Sequence, residues 1–187
     1  MILLGGINGT GKTSVCRALS KLYGLKCTEV EPVCYEGQNM LAFEVYAYGI
    51  TMFKAHGDVL DESPLTHYLY VRAIPSFSSL QEVEPEEYSQ VASGMLLAAK
   101  KIKEEGNKLV WLTADPAAIQ KRLRKETGCR YRPFVEQTHF LLGTLRFLEK
   151  EALQKWKEEG VVDLVVDTTE KSPEQVAEEV MRSLGEG

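Results

Sequence analysis

One short segment near the start constrains this chain more than any other. Gly6-Ile-Asn-Gly-Thr-Gly-Lys-Thr13 matches G-x-x-x-x-G-K-[ST] at every position. An apolar run, Ile2 to Gly6, precedes it. A helical pattern follows from about Lys12 to Tyr23, with Val15, Ala18, Leu19 and Leu22 on one face and Gly24 as its stop. Strand, glycine-rich turn and helix in this order make a phosphate cradle. The glycines let the backbone approach phosphate oxygens closely, and the N–H groups and helix N-terminus supply positive potential. Gly6, Asn8, Gly9, Thr10, Gly11 and Ser14 are therefore expected to line a bound nucleotide, with Lys12 reaching its β- and γ-phosphates. The Thr13 hydroxyl is expected to hold Mg²⁺.

Beyond the cradle, strands alternate with helical patterns, which predicts an α/β fold of three layers: a mainly parallel, five-stranded sheet with helices on both faces. Strands are expected at Ile2–Gly6, Leu25–Val30, Val59–Leu60, Lys108–Thr113 and Val161–Val166. Helices are expected over Asn39–Ala55, Pro85–Glu105, from about Pro116, and over Phe134–Glu159. Ser172-Pro-Glu-Gln175 reads as a capping box opening the last helix. Gly128 to Pro133 interrupts the helices. No repeat or linker divides the chain, so residues 1–187 are expected to form one domain with a lid at approximately 122–136.

Composition narrows the function classes. The net charge is −5 with no long basic run, which argues against duplex nucleic acid as a partner. Four cysteines without a C-x-x-C pair and three scattered histidines argue against a structural zinc site. At 187 residues with 44% hydrophobic content the chain can bury a sizeable core, so no disulfide framework is expected. No stretch reads as a signal peptide or membrane span, so no membrane partner and a cytoplasmic location are expected. The chain lacks the N-K-x-D motif of a GTPase, and it is small for a motor ATPase. A kinase for a small molecule fits best.

In motif order, nearly the whole chain resembles the thymidylate kinase and deoxynucleoside kinase group. Gly5 to Ser14 is similar to their phosphate loop, and Val30-Glu-Pro32 to the Glu-Pro element after their second strand. Leu60-Asp-Glu-Ser-Pro64 is similar to their Asp-Arg-Tyr/Ser or Glu-Arg-Ser element. Arg122 to Arg132 resembles the arginine-bearing lid, and Val165-Val-Asp-Thr-Thr169 the adenine-side loop. The resemblance implies transfer of the ATP γ-phosphoryl group, with Mg²⁺, to a nucleoside monophosphate or nucleoside. The cofactors are ATP and Mg²⁺, the partner is that small molecule, and a homodimer is possible in this group. Two departures bear on the acceptor: Val30 and Glu62 stand where thymidylate kinases place arginines toward a monophosphate, and Arg72 is one candidate to replace that charge. The alternatives are a kinase for another hydroxyl (a cofactor precursor or polynucleotide 5′ end) and a nucleotide sensor that transfers nothing.

Residue roles follow. Asp61, at a strand end, would position Mg²⁺ with Thr13, or contact the acceptor hydroxyl. Glu31 would take the acceptor's hydroxyl proton or hold its sugar. Arg130 and Arg132 would face the moving phosphoryl group, where developing negative charge needs fixed cations. By resemblance, Arg122 would stack on adenine and Thr168 would lie on the cofactor's adenine side. Among Tyr35, Phe43, Tyr46, Tyr48 and Phe53, one or two are expected at the acceptor and the rest in the core. The histidines are expected to be structural or on the surface.

Overall fold

The structure is a computed structural model, and it describes residues 1–31, 39–76, 84–125 and 138–185, with side chains from 141 in the third of the internal joins. Elements run β1 (Ile2–Gly5), α1 (Lys12–Tyr23), β2 (Cys27–Thr28), α2 (Met40–Phe53), β3 (Val59–Leu60) and α3 (Pro64–Ala73). Then follow a 3₁₀ turn (Ile74–Ser76), α4 (Pro85–Glu104), β4 (Lys108–Thr113), α5 (Pro116–Leu123), α6 (Thr138–Glu158), β5 (Leu164–Asp167) and α7 (Pro173–Leu184). The five strands form one parallel sheet in the order β2-β3-β1-β4-β5. The α/β expectation holds, helices on both faces included.

Because both faces of the sheet are covered, the central strands carry apolar residues on both sides, with polar residues such as Lys108, Thr113 and Asp167 at strand ends. On one face β1, β3 and β4 send Leu3, Leu60, Leu109 and Trp111 against α3, α4 and α6. On the other, Ile2, Leu4, Val59, Val110 and Val166 meet α1 and α7. Parallel register pairs Ile2 with both Val59 and Lys108. This brings the carboxyl ends of β1, β3 and β4 together, and the β1 loop opens where neighbouring connections diverge. The sheet is tightest there. A Cβ on Gly5 would come within 2.6 Å of Ser63 Oγ and 2.7 Å of Trp111 Cε3, so that position tolerates no side chain.

Several elements differ from expectation. Strand β2 covers only Cys27–Thr28 of the predicted Leu25–Val30, and β5 begins at Leu164 rather than Val161. Residues 134–137 of the last long helix lie outside the described residues. On α1 the buried face includes Cys16, while Leu22 is 43% exposed. The absence of disulfides is also corrected: Cys16 on α1 is bonded to Cys27 on β2, tying the cradle's helix to the edge strand. A helix position and a strand position only 11 residues apart come into register through the turn at Gly24, which spacing alone does not reveal. Cys34 and Cys129 lie outside the described residues.

Candidate active site

The β1–α1 loop is shaped by glycines and anchored from three sides. Gly9 has φ 88°, and a Cβ there would meet Ile119 Cγ2 and Leu123 Cγ at 3.1 Å, so α5 packs directly beneath the loop. From α3, the Thr66 hydroxyl accepts from Gly6 N–H (3.2 Å) and the Tyr70 hydroxyl from Asn8 N–H (3.0 Å). Thr10 is fully buried, and its hydroxyl donates to the Ile7 carbonyl at 2.8 Å. The Thr10 side chain thus stiffens the loop instead of facing the cavity.

From the β5 side, the buried Thr168 hydroxyl lies 2.9 Å from the Thr10 carbonyl and 3.2 Å from that of Thr113. Arg122 completes this join. Its guanidinium donates to Gly9 O (3.2 Å), Thr168 Oγ1 (3.0 Å) and Thr168 O (2.6 Å). Arg122 therefore binds the phosphate loop to the β5–α7 connection, a positioning task that resemblance alone does not imply.

These anchors surround a cavity of about 310 Å³. Asn8 to Val15 line one wall, Asp61 and Glu62 the floor, and Arg122, Thr168, Lys171, Pro173 and Val176 the far side. Lys12 is 8% exposed. Its ammonium donates to Gly6 O at 2.8 Å and lies 3.7 Å from Glu62 Oε2. Ser14 is exposed at the rim of this wall.

Asp61 follows β3 directly and is 4% exposed. Its Oδ1 accepts from Val30 N–H at 2.7 Å, and its Oδ2 from the Thr13 hydroxyl at 2.6 Å. Burial pushes the Asp61 carboxyl above the usual range, while the Thr13 hydroxyl and Val30 amide pull it back down. Two hard oxygen donors, brought together beside a phosphate cradle, suit Mg²⁺, which takes one or two protein oxygens and completes its shell with phosphate and water. The lining also suits a nucleoside triphosphate: the α1 N-terminus and Lys12 lie on one wall, where phosphates would be drawn, and the far wall is partly apolar through Pro173 and Val176.

The acceptor side is less uniform. Glu31 is 87% exposed, and Lys54 Nζ lies 4.0 Å from it. Arg72 is exposed, donates to the Tyr68 hydroxyl at 3.1 Å and sits 5.8 Å from that ring. It lines neither the nucleotide cavity nor the acceptor-side one, a second, smaller cavity bounded by Asn8, Glu31, Phe43, Glu44, His67 and Tyr70. Of the aromatic residues, Phe43 lines the acceptor-side cavity, whereas Tyr46 and Phe53 are 62% and 87% exposed. Tyr35, Arg130 and Arg132 lie outside the described residues.

Two features went unread in the sequence. Glu44 on α2 and His67 on α3 are both buried, with Glu44 Oε2 3.0 Å from His67 Nδ1 and Thr51 Oγ1 2.9 Å from His67 Nε2. The second is Glu149 on α6, which accepts from Trp111 Nε1 at 2.7 Å and pairs with Arg146. Burial raises the Glu149 carboxyl above its usual range. Glu44 is a lone acid within an apolar helix, which is a readable signal; Glu149 stands among other charged residues of α6 and carries none.

No family model matches the chain. The chain is 25% identical to a shikimate kinase of Bacillus cytotoxicus, over 98% of this chain and 97% of that one. It is 26% identical to a shikimate kinase of Bacillus cereus, over 99% and 98%. Among solved structures, deoxyadenosine kinase from M. mycoides with bound dCTP superposes with a TM-score of 0.69 at 15% identity, over 99% of both chains. Shikimate kinase from Acinetobacter baumannii in complex with shikimate gives 0.60 at 14% identity, over 98% of this chain and 91% of that one. The architecture common to them is that of the P-loop kinases. With this fold, its intact cradle and its likeness to curated kinases along the whole length, the chain is an ATP-dependent kinase that works with Mg²⁺.

Proposed function

We propose that this kinase phosphorylates a neutral hydroxyl, that of a nucleoside, in preference to a nucleoside monophosphate. One observation carries the reading. The acceptor-side cavity is lined by Glu31 and Glu44 and, among its described residues, by no lysine or arginine. A phosphate dianion entering between carboxylates is repelled, by roughly 4 kcal/mol per unit charge pair at 4 Å and intermediate dielectric. A neutral acceptor avoids that cost. The thymidylate kinase resemblance is kept for the cradle and lid and is set aside for the acceptor.

In this reading the acceptor hydroxyl oxygen attacks the γ-phosphorus, its bond to the β,γ-bridging oxygen breaks, and the hydroxyl proton passes to the Glu31 carboxylate. Lys12 is assigned to the charge that develops on the moving group, as are Arg130 and Arg132, which the sequence puts in a lid at 122–136 and which lie outside the described residues. Mg²⁺ held by Thr13 and Asp61 neutralises phosphate charge when bound. Gly6, Asn8, Gly9, Gly11 and Ser14 hold the triphosphate, with Thr10, Thr168 and Arg122 fixing the loop that does so. A single domain in the cytoplasm, where ATP is supplied, goes with this reading.

The second reading is another hydroxyl acceptor, shikimate first, because the curated relatives are shikimate kinases. Shikimate carries a carboxylate, so the same acidic lining weighs against it. ADP release measured with nucleosides, nucleoside monophosphates and shikimate decides the matter. The nucleosides are expected to give the highest kcat/KM, and a monophosphate or shikimate in first place overturns the proposal.

A further inference from the structure

Glu44 has so far counted only as a negative charge in the cavity lining, and its buried pairing with His67 has no task in the transfer step described above. Glu44, His67 and Thr51 are 7%, 4% and 0% exposed. They line one cavity together with Asn8 of the phosphate loop and the exposed Glu31, so this cavity runs inward from the reacting groups. His67 is held at both ring nitrogens, by Glu44 Oε2 at 3.0 Å and Thr51 Oγ1 at 2.9 Å. Thr51 is itself fixed, 3.1 Å from the Ala47 carbonyl. The carboxylate is therefore oriented through Oε2, and among the described residues its Oε1 makes no hydrogen bond. The buried side-chain oxygens and nitrogens left without a partner among the described residues are Ser63 Oγ and Trp156 Nε1, so the second oxygen of Glu44 reaches accessible space and is open to a donor.

We propose that Glu44, positioned by His67 and Thr51, reads the acceptor's base and selects one that carries an exocyclic amino group. This rests on the nucleoside reading above. An ionised carboxylate only accepts hydrogen bonds, so its partner must present a donor. The whole of this cavity measures about 20 Å³, room for one water-sized group beside Glu44, with the rest of the base at its mouth. That matches the amino group of adenine, cytosine or guanine. Thymine offers a single ring N–H flanked by two carbonyl oxygens, both of which a carboxylate repels. Glu44 is thus assigned as the residue that sets base preference, and His67 and Thr51 act through it as positioning residues.

The test compares kcat/KM for deoxyadenosine, deoxycytidine, deoxyguanosine and thymidine, in the native protein and in Glu44→Gln. The best amino-bearing nucleoside should exceed thymidine by roughly 10- to 100-fold, the scale of one well-placed base contact. Glu44→Gln supplies a donor beside an acceptor, which suits thymine. Its discrimination should collapse, with the KM for ATP unchanged. Thr51→Val, nearly isosteric, should raise the KM of the amino-bearing nucleoside several-fold while leaving kcat and thymidine little changed. It also decides the matter if Glu44→Gln fails to melt cooperatively. Thymidine as the best substrate, or unaltered ratios in the variants, overturns this inference and leaves the proposed function standing. Turnover of no nucleoside, with ATP still bound, overturns both.

Discussion

Replacing Asp61 separates its two tasks, because one is made of hydrogen bonds and the other of charge. In Asp61→Ala the Val30 N–H loses its acceptor at 2.7 Å and the Thr13 hydroxyl its acceptor at 2.6 Å. An unmet buried N–H costs roughly 1–3 kcal/mol, and the half-buried hydroxyl adds less because it can turn to water. A loss of about 2–3 kcal/mol corresponds to about 4–12 °C in Tm for a chain this size. In Asp61→Asn the amide oxygen can still accept from Val30 and the amide N–H₂ can donate to Thr13 Oγ1, so stability should stay within about 1 kcal/mol of native. Both variants should lose transfer rate by roughly 10²-fold or more. Thermal melting and steady-state ADP release measure the two effects. The pH dependence adds a check. Burial raises the folded-state pKa of Asp61. The native protein's stability relative to Asp61→Asn should therefore be greatest below the unfolded-state pKa and fall as pH rises through the raised value. If Asp61→Asn melts as early as Asp61→Ala, the hydrogen-bond account is wrong. If either turns over normally, the metal-side role is wrong.

Four other outcomes are expected. Lys12→Met should lower transfer by roughly 10²-fold or more, and because Glu62 loses a cationic neighbour in a buried setting, the apo protein should also lose about 1–3 kcal/mol, read by denaturant melts. Glu31→Gln should reduce kcat without changing ATP affinity, and calorimetric titration with a non-hydrolysable ATP analogue checks the second half. Arg122→Ala releases the loop from Thr168, so the KM for ATP should rise roughly 10-fold, equivalent to about 1.4 kcal/mol; an unchanged KM would leave Arg122 with a structural role only. Reducing Cys16–Cys27 should cost about 2–3 kcal/mol, seen as a lower Tm with reductant in the native protein and no reductant effect in Cys27→Ala.

How much could be read beforehand depended on how local the signal was. The Gly6–Thr13 cradle, β4 and the Ser172 capping box are written in consecutive residues, and the capping box forms with reciprocal bonds between Ser172 and Gln175. Helix α3 carries no amphipathic period, because every residue from Pro64 to Val71 is buried, and its segment reads as strand running into loop. Asp61 was legible as a strand-end acid, and the structure gives it Thr13 as a partner. Arg122 and Thr168 were legible as site positions, but their mutual bonds join segments 46 residues apart. The Glu44–His67 pair joins two helices across 23 residues, and nothing local marks either residue as the other's partner.

The aromatic column behind β4 gives this kinase an optical property of its own. The chain has two tryptophans. Both Trp111 and Trp156 are buried, their rings 5.1 Å apart in an edge contact, with Tyr68 5.5 Å from Trp156. Intrinsic emission therefore comes from one dry spot between β4, α3 and α6, blue-shifted and shared between neighbouring indoles. No tryptophan or tyrosine lines the nucleotide cavity among its described residues, so ATP has no direct quencher's view of the fluorophores. A change in emission on adding ligand would report a shift of α6, which carries Trp156 and Glu149, the latter bonded to the Trp111 indole. The protein thus holds a built-in gauge of helix movement that stays silent to simple occupancy of the cradle.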